Sequence, residues 1–366
     1  MLHCRPLWPR LLLSVSPCRH MMDLSSVVSR LEALAPPALA ESWDNVGLLV
    51  EPSPPHQVRK MLLTNDLTED VLQEALAARA DLLLSYHPPI FRPLKRLTCG
   101  SWKERLVVTA LEKRLAIYSP HTACDAIANG VNDWLGRALG ACVSVPLRPS
   151  TAISHPSGYG HILEFRGDVS ESVLSRVSAL QGACVRTYPL RGEEGARVRL
   201  SCSHNALRHA LTILAEDPEV YRSAELLTLQ KHPLLDTGMG RLCTLSEPIS
   251  TAAAVERIKS HVGLKHLRLA LGRGKSLESP VSVMAVCAGS GSSVLSGVPA
   301  DLYLTGEMSH HEVLDAVAEG RSVVLCEHSN SERGYLLELA GQITQRLEGK
   351  VDVLVSQTDR DPLQVV

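Results

Sequence analysis

Residues Ser322 to Tyr335 read SVVLCEHSNSERGY, and the interpretation of this stretch decides the fold. Ser322–Leu325 is a short, β-branched and apolar run, the pattern of a strand buried on both faces. From Tyr335 to Leu347 the apolar residues recur at helical spacing. His328 and Glu332 therefore fall where the carboxyl end of a strand gives way to a helix, the position at which open α/β sheets carry their sites. An imidazole and a carboxylate this close can share one cation, since both are ordinary ligands of zinc, iron or manganese. The competing reading is structural: Ser329-x-x-Glu332 has the form of a capping box, which satisfies the first free amides of a helix.

Working back along the chain, the same alternation recurs. Met61–Thr64 reads as a strand and Thr68–Arg79 as a helix. Leu82–Ser85 is a strand ending in Tyr86-His87-Pro88-Pro89, followed by a helix over Ser101–Arg114. Leu115–Tyr118 is a strand ending in SPHTACD (Ser119–Asp125), and a helix from Ala128 to Leu139 closes the unit. Alternation of this kind predicts an α/β fold whose mostly parallel sheet is covered on both faces. The last third repeats the plan: Val281–Cys287 is a strand, and Asp301–Leu304 (DLYL) echoes Asp81–Leu84 (DLLL). We expect two related α/β halves, 23–145 and 241–366, forming one metal-binding core. Between them, over 146–240, the order is strand 161–165, helix 170–180, strand 183–188, strand 196–202, helix 204–216 and strand 224–229. That βαββαβ order predicts an inserted ferredoxin-like α+β domain. Pro146, Pro149 and Pro156 punctuate its entry, and Gly238-Met239-Gly240 its exit.

The 366 residues suffice for two or three domains, and 45% apolar with 21% charged residues is the balance of an ordinary globular protein. A net charge of −2 gives no basis for bulk attraction to nucleic acid or membrane. The ten cysteines contain no CxxC, which argues against a zinc ribbon or a disulfide framework. Cys184, Cys202, Cys287 and Cys326 lie in strand-like runs and read as small buried hydrophobes of a reducing compartment. Residues 1–22 form a leader with Arg5, Arg10 and Arg19 and no acid, too briefly apolar to span a bilayer. It reads either as a mitochondrial transit peptide or as a disordered leader before a second start at Met21 or Met22. Asp23 caps an expected helix reaching Leu34. Within ESWDNVGLLV (Glu41–Val50), Asp44 and Asn45 either line a site or supply turn chemistry.

At the expected carboxyl ends of strands stand Tyr86, His87, His121, Asp125, Glu307, His328 and Glu332, drawn from both halves and able to face one cleft. The Gly-Ser loop 289–293 lacks the complete GxGxxG and the P-loop lysine, and reads as a tight strand-to-helix turn. His310 and His311 open a helix, where neighbours point apart, so at most one of them reaches the cleft.

The segments ESWDNVGLLV, LLLSYHPPIF, IYSPHTACD, TGMGR, DLYLTGEMSHHEVLDA and CEHSNSERGY, in this order, resemble the NIF-three-like family over about residues 23 to 366. The resemblance implies two α/β halves, a PII-like insertion, assembly from dimers into a hexameric ring, and a dinuclear metal centre. Its ligand pattern carries over to His87, Asp125, His328 and Glu332. Tyr86 departs from that pattern, because the family has the first of two adjacent histidines there, His87 being the second. His87, Asp125 and Glu332 then still hold one divalent transition metal (zinc, iron or manganese), while the other site keeps His328 and a share of Glu332 and is weakened, since a neutral phenol is a poor ligand near pH 7. The family's name implies a protein-interaction scaffold and transcription coregulator in cytoplasm or nucleus, binding proteins rather than nucleic acid. Bacterial relatives imply the alternative, a metal-dependent, GTP cyclohydrolase-like hydrolase of a nucleotide-like substrate. In it Glu332 bridges the ions, and His121 or Glu307 transfers a proton.

Overall fold

The computed structural model describes residues 21–152, 154–155, 158–166, 169–189 and 196–366; the leader up to residue 20, and Pro156, lie outside the described residues. The chain is a mixed α/β protein with two compact units. One takes in the chain up to Arg148 and again from Gly238 onward, and the other is Pro149–Thr237.

In the first unit, a five-stranded sheet runs in the order Asp352–Val355, Lys60–Thr64, Leu82–Ser85, Ala116–Ser119, Gly47–Val50. The first four strands are parallel and Gly47–Val50 is antiparallel. A six-stranded sheet runs Arg268–Ala270, Ser322–Leu325, Leu302–Glu307, Pro280–Ser290, Pro233–Ser250, Cys142–Thr151. Its three central members are parallel, with antiparallel neighbours on either side.

The sequence runs explain why these strands are central. A strand covered on both faces needs apolar residues at every position. Met61 and Leu63 join one core while Leu62 joins another, and Leu82, Leu83 and Leu84 divide the same way. In the second sheet Leu302 and Leu304 share the first core, and Tyr303 faces a third. That shared core also holds the apolar faces of the helices Leu24–Leu34, Val131–Gly136, Thr251–Val262 and Tyr335–Arg346. The helices Glu69–Ala77 and Trp102–Glu112 cover the outer face of the five-stranded sheet. The carboxyl ends of the parallel strands in both sheets supply the site described below.

In Pro149–Thr237, an antiparallel sheet has the order Glu225–Thr228, His161–Arg166, Ala196–Cys202, Ala183–Pro189. The helices Glu171–Ser178 and His204–Leu214 bury Val173, Val177, Leu207 and Ile213 against it.

Several local expectations change. Asp23 begins the first helix without a side-chain cap, because its carboxylate is engaged by Gln57 Nε2. The helix expected from Ala128 starts at Val131, since Asn129 is left-handed (φ 58°), and it finishes as a 3-10 turn, Arg137–Leu139. Gly238-Met239-Gly240 marks the exit from the second unit, but within the long strand Pro233–Ser250 rather than in a turn. Pro146 and Pro149 likewise sit within the strand Cys142–Thr151. Among the described residues, no helix is long and apolar enough to cross a membrane.

Candidate metal centre

Ser329-x-x-Glu332 is not a capping box. Ser329 Oγ donates to Asp66 Oδ2 at 2.6 Å, and residues Ser329–Ser331 make a 3-10 turn before the helix at Tyr335. Glu332 is thereby freed from capping and buried, 3% exposed, among ring nitrogens. Its Oε2 lies 3.1 Å from His87 Nε2, and its Oε1 lies 3.6 Å from His328 Nε2. His87, His328 and Glu332 each offer one ligand atom within 4.8 Å of the others. The His87 and His328 ring centres are 5.1 Å apart.

Three observations fit these residues to a cation. His87 Nε2 is buried without a hydrogen-bond partner, since its approach to Glu332 is out of alignment, and a buried polar nitrogen left so is costly. The donor set of two imidazoles and a carboxylate is a common one for divalent transition metals. Finally, the space is kept open by glycine. Gly289 has φ +62°, and a Cβ there would stand 2.7 Å from Glu332 Oε1 and 3.0 Å from His328 Nε2. Gly289→Ala therefore strains the backbone by about 1 kcal/mol and intrudes on the ligands. Metal titration of this variant is expected to show weakened binding with the fold retained; unchanged affinity would mean the ligands do not converge where Gly289 makes room.

The residues behind the ligands fix their orientation. His87 Nδ1 donates to Asp66 Oδ1 at 2.8 Å, the carboxylate–histidine arrangement that leaves Nε2 for a metal. Burial opposes charge on His87, but the Glu332 and Asp66 carboxylates override it and lift the imidazole to about 10. Burial likewise opposes charge on Glu332, yet His87, His328 and the Asn65 amide hold it below the usual carboxylate range. His328 Nδ1 is 3.2 Å from Glu307 Oε1, so Glu307 orients a ligand from a largely exposed position.

Asp125 is not one of the three residues His87, His328 and Glu332, but it lines the same cavity as His328 and Glu332. The Tyr86 hydroxyl donates to Asp125 Oδ1, and Tyr86 is fully buried. Burial raises the Asp125 carboxyl to about 6; the Glu332 charge adds to this, while His121, Tyr86 and His87 pull the other way. Burial also drives the Tyr86 phenol well above its ordinary value, so it remains a protonated donor.

His121 follows the strand Ala116–Ser119 with φ 32°, a strained value for a residue with a side chain. Its Nδ1 donates to Asp44 Oδ1 at 2.7 Å. Asp44 also accepts from Thr122 N at 3.1 Å and from Asn45 N at 2.7 Å, so it makes a turn and holds the site at once. His121, Asp125, His328 and Glu332 line one cavity of about 300 Å³, together with Trp43 and Arg148. Trp43, Phe91 and His121 form an edge-to-face cluster, with ring centres 6.0 to 6.4 Å apart. His310 and His311 are exposed and face one another at 5.5 Å, away from this cavity.

Residues 22–362 match the family described as Duf34/NIF3 (NGG1p interacting factor 3). The chain is 56% identical to the NIF3-like protein 1 of Rattus norvegicus, over 96% of this chain and 95% of the relative. It is 29% identical to the NGG1-interacting factor 3 of Saccharomyces cerevisiae, over 94% of this chain and 97% of that one. Among solved structures, a Bacillus cereus protein related to NIF3 superposes with a TM-score of 0.68 at 22% identity, covering 95% of this chain and 100% of that chain, which speaks for the fold alone.

Proposed function

The chain belongs to the Duf34/NIF3 family, and from that premise we propose that it binds one divalent transition-metal ion per chain through His87, His328 and Glu332 and works mainly as a protein-interaction scaffold. The observation that carries this reading is the bond from the Tyr86 hydroxyl to Asp125. A second ion would need Asp125 free and a neutral nitrogen beside it. Here Asp125 Oδ1 accepts from a phenol that does not deprotonate near neutral pH and so supplies no ligand itself. Catalysis with two ions requires both to clamp the attacking and leaving atoms, and on this reading the second ion is held too weakly for that. The name of the yeast relative, an NGG1-interacting factor, supports protein binding and a coregulator role.

The proposal includes self-assembly through dimers into a hexameric ring. It also includes two related α/β halves around an inserted ferredoxin-like, PII-like domain over 146–240. The element order of Pro149–Thr237 and its antiparallel sheet support the latter reading.

Elemental analysis decides the metal count. Wild-type protein is expected to hold about one transition ion per chain, and Tyr86→His about two, because a histidine restores a nitrogen ligand and releases Asp125. Equal metal content in the two proteins would remove the argument.

A second reading, hydrolysis of a nucleotide-like substrate, is favoured by the cavity beside the ligands. A divalent ion held there supplies Lewis acidity. With Asp44 accepting from Nδ1, His121 keeps Nε2 free to take a proton from a molecule in the cavity. Trp43 offers an aromatic face at the rim, and Arg148 a cation. Nucleotide turnover that disappears in His87→Ala would establish this reading, whereas partner capture untouched by Glu332→Ala would support the scaffold.

A further inference from the structure

The segment that follows the strand Asp352–Val355 is fastened behind the metal ligands. Ser356 N donates to Leu63 O at 2.8 Å, and Glu74 accepts from Gln357 N at 2.8 Å and Thr358 N at 3.3 Å. These bonds bring in Asp359, whose side chain is only 3% exposed. Asp359 Oδ2 accepts from Asn65 N at 2.7 Å, and Oδ1 lies 3.4 Å from Arg333 Nη2. Each partner leads on to a ligand. Asn65 Nδ2 donates to Glu332 Oε2 at 3.1 Å. Arg333 Nη2 is 3.5 Å from Asp66 Oδ2, and Asp66 Oδ1 accepts from His87 Nδ1 at 2.8 Å. Arg333 also adjoins Glu332 in the chain.

A buried carboxylate is costly unless its charge and lone pairs are matched. Packing the segment against the sheet would not call for one. Asp359 is matched by two groups, and both of them touch residues that hold or orient the cation.

We propose that Asp359 is a positioning residue for the metal centre. It acts through Asn65 on Glu332, and through Arg333 and Asp66 on His87, and is the residue by which the segment Ser356–Asp361 reaches the site. This rests on reading His87, His328 and Glu332 as the ligands. Supporting partners of this kind fix the rotamer and basicity of a ligand, and their loss typically weakens metal binding about 10- to 100-fold.

The test uses Co²⁺ as the probe, titrated into the full chain and followed by its visible d–d absorption, which reports coordination geometry. Asp359→Ala is expected to weaken Co²⁺ binding about tenfold and to change the bands at saturation. Asp359→Asn keeps an oxygen for the Asn65 amide and falls between Asp359→Ala and wild type. Gln357→Ala, on the same segment but outside the network, leaves affinity and bands as they are. Failure of the wild-type chain to bind Co²⁺ would overturn the underlying ligand reading. Tight binding by wild type with the same affinity and spectrum in Asp359→Ala would overturn this inference alone. Should Asp359→Ala not fold, Asp359→Asn decides on the same two measurements.

Discussion

Glu332→Gln abolishes tight metal binding while the chain stays folded. Glu332 approaches both His87 and His328, and it is the sole anion among the three proposed ligands. The substitution keeps its volume and an oxygen for the Asn65 amide, so packing is preserved. It removes the charge that offsets the cation in a buried site. Loss of a mere supporting partner costs about 10- to 100-fold in affinity, and loss of this ligand is expected to exceed the upper figure. Competition against a chelator, with circular dichroism as the folding control, measures it; binding within about tenfold of wild type would sink the proposed ligand set. The pH dependence has a defined sign. In the metal-free chain the His87 imidazole is raised to about 10 by Glu332 and Asp66 against burial, so the ion must displace a proton. Affinity should therefore strengthen about tenfold per pH unit through the neutral range and level off near pH 10. The same linkage means the metal-free fold draws stability from the protonated His87 below its unfolded pKa of about 6.5, and loses it as pH rises through about 10.

Arg241→Ala should destabilise the fold more than any substitution at the metal ligands. The side chain is 1% exposed, and its guanidinium meets both oxygens of Asp133, at 2.8 and 3.0 Å. It also donates to the carbonyls of Gly238, Gly240 and Ile127 at 2.6, 2.8 and 2.9 Å. Truncation strands three carbonyls and leaves the Asp133 carboxylate without its cation, with Asn129 N and Ser144 Oγ still donating to it; breaking a buried pair from one side costs about 3–5 kcal/mol. For a unit of this size that corresponds to a fall in melting temperature of roughly 10 °C. Adding Asp133→Asn to Arg241→Ala removes the orphaned charge and should recover part of the loss. A loss below about 1 kcal/mol in the single variant would show that water reaches the pair.

The central strands were legible because burial on both faces writes an unbroken apolar run, as in Leu82–Ser85 and Ser322–Leu325. The strand Pro233–Ser250 was not, because its glycines and alternating exposure imitate a linker. His87, His328 and Glu332 were legible as metal-competent residues at strand ends, yet the residues that hold them were missed. Asp66 is 21 positions from His87 and Asn65 is 267 from Glu332, distances at which no local pattern speaks; Asp44, 77 positions from His121, was singled out by its turn chemistry alone. One signal was available. Asn65 and Asp66 directly follow the strand Lys60–Thr64, at the same carboxyl edge that drew attention to Tyr86 and His87.

The pairing of Asp352–Val355 with Lys60–Thr64 has a consequence for the making of the protein. The strand beside Asn65 and Asp66 pairs early with Leu82–Ser85 but lacks its second neighbour until nearly three hundred further residues have been synthesised, and His328 and Glu332 arrive almost as late. A ribosome-bound chain thus carries His87 for most of its synthesis without the means to retain an ion. On the proposed ligand set, an ion can be taken up only once His328 and Glu332 have been made, and its identity is set by what the surroundings then supply.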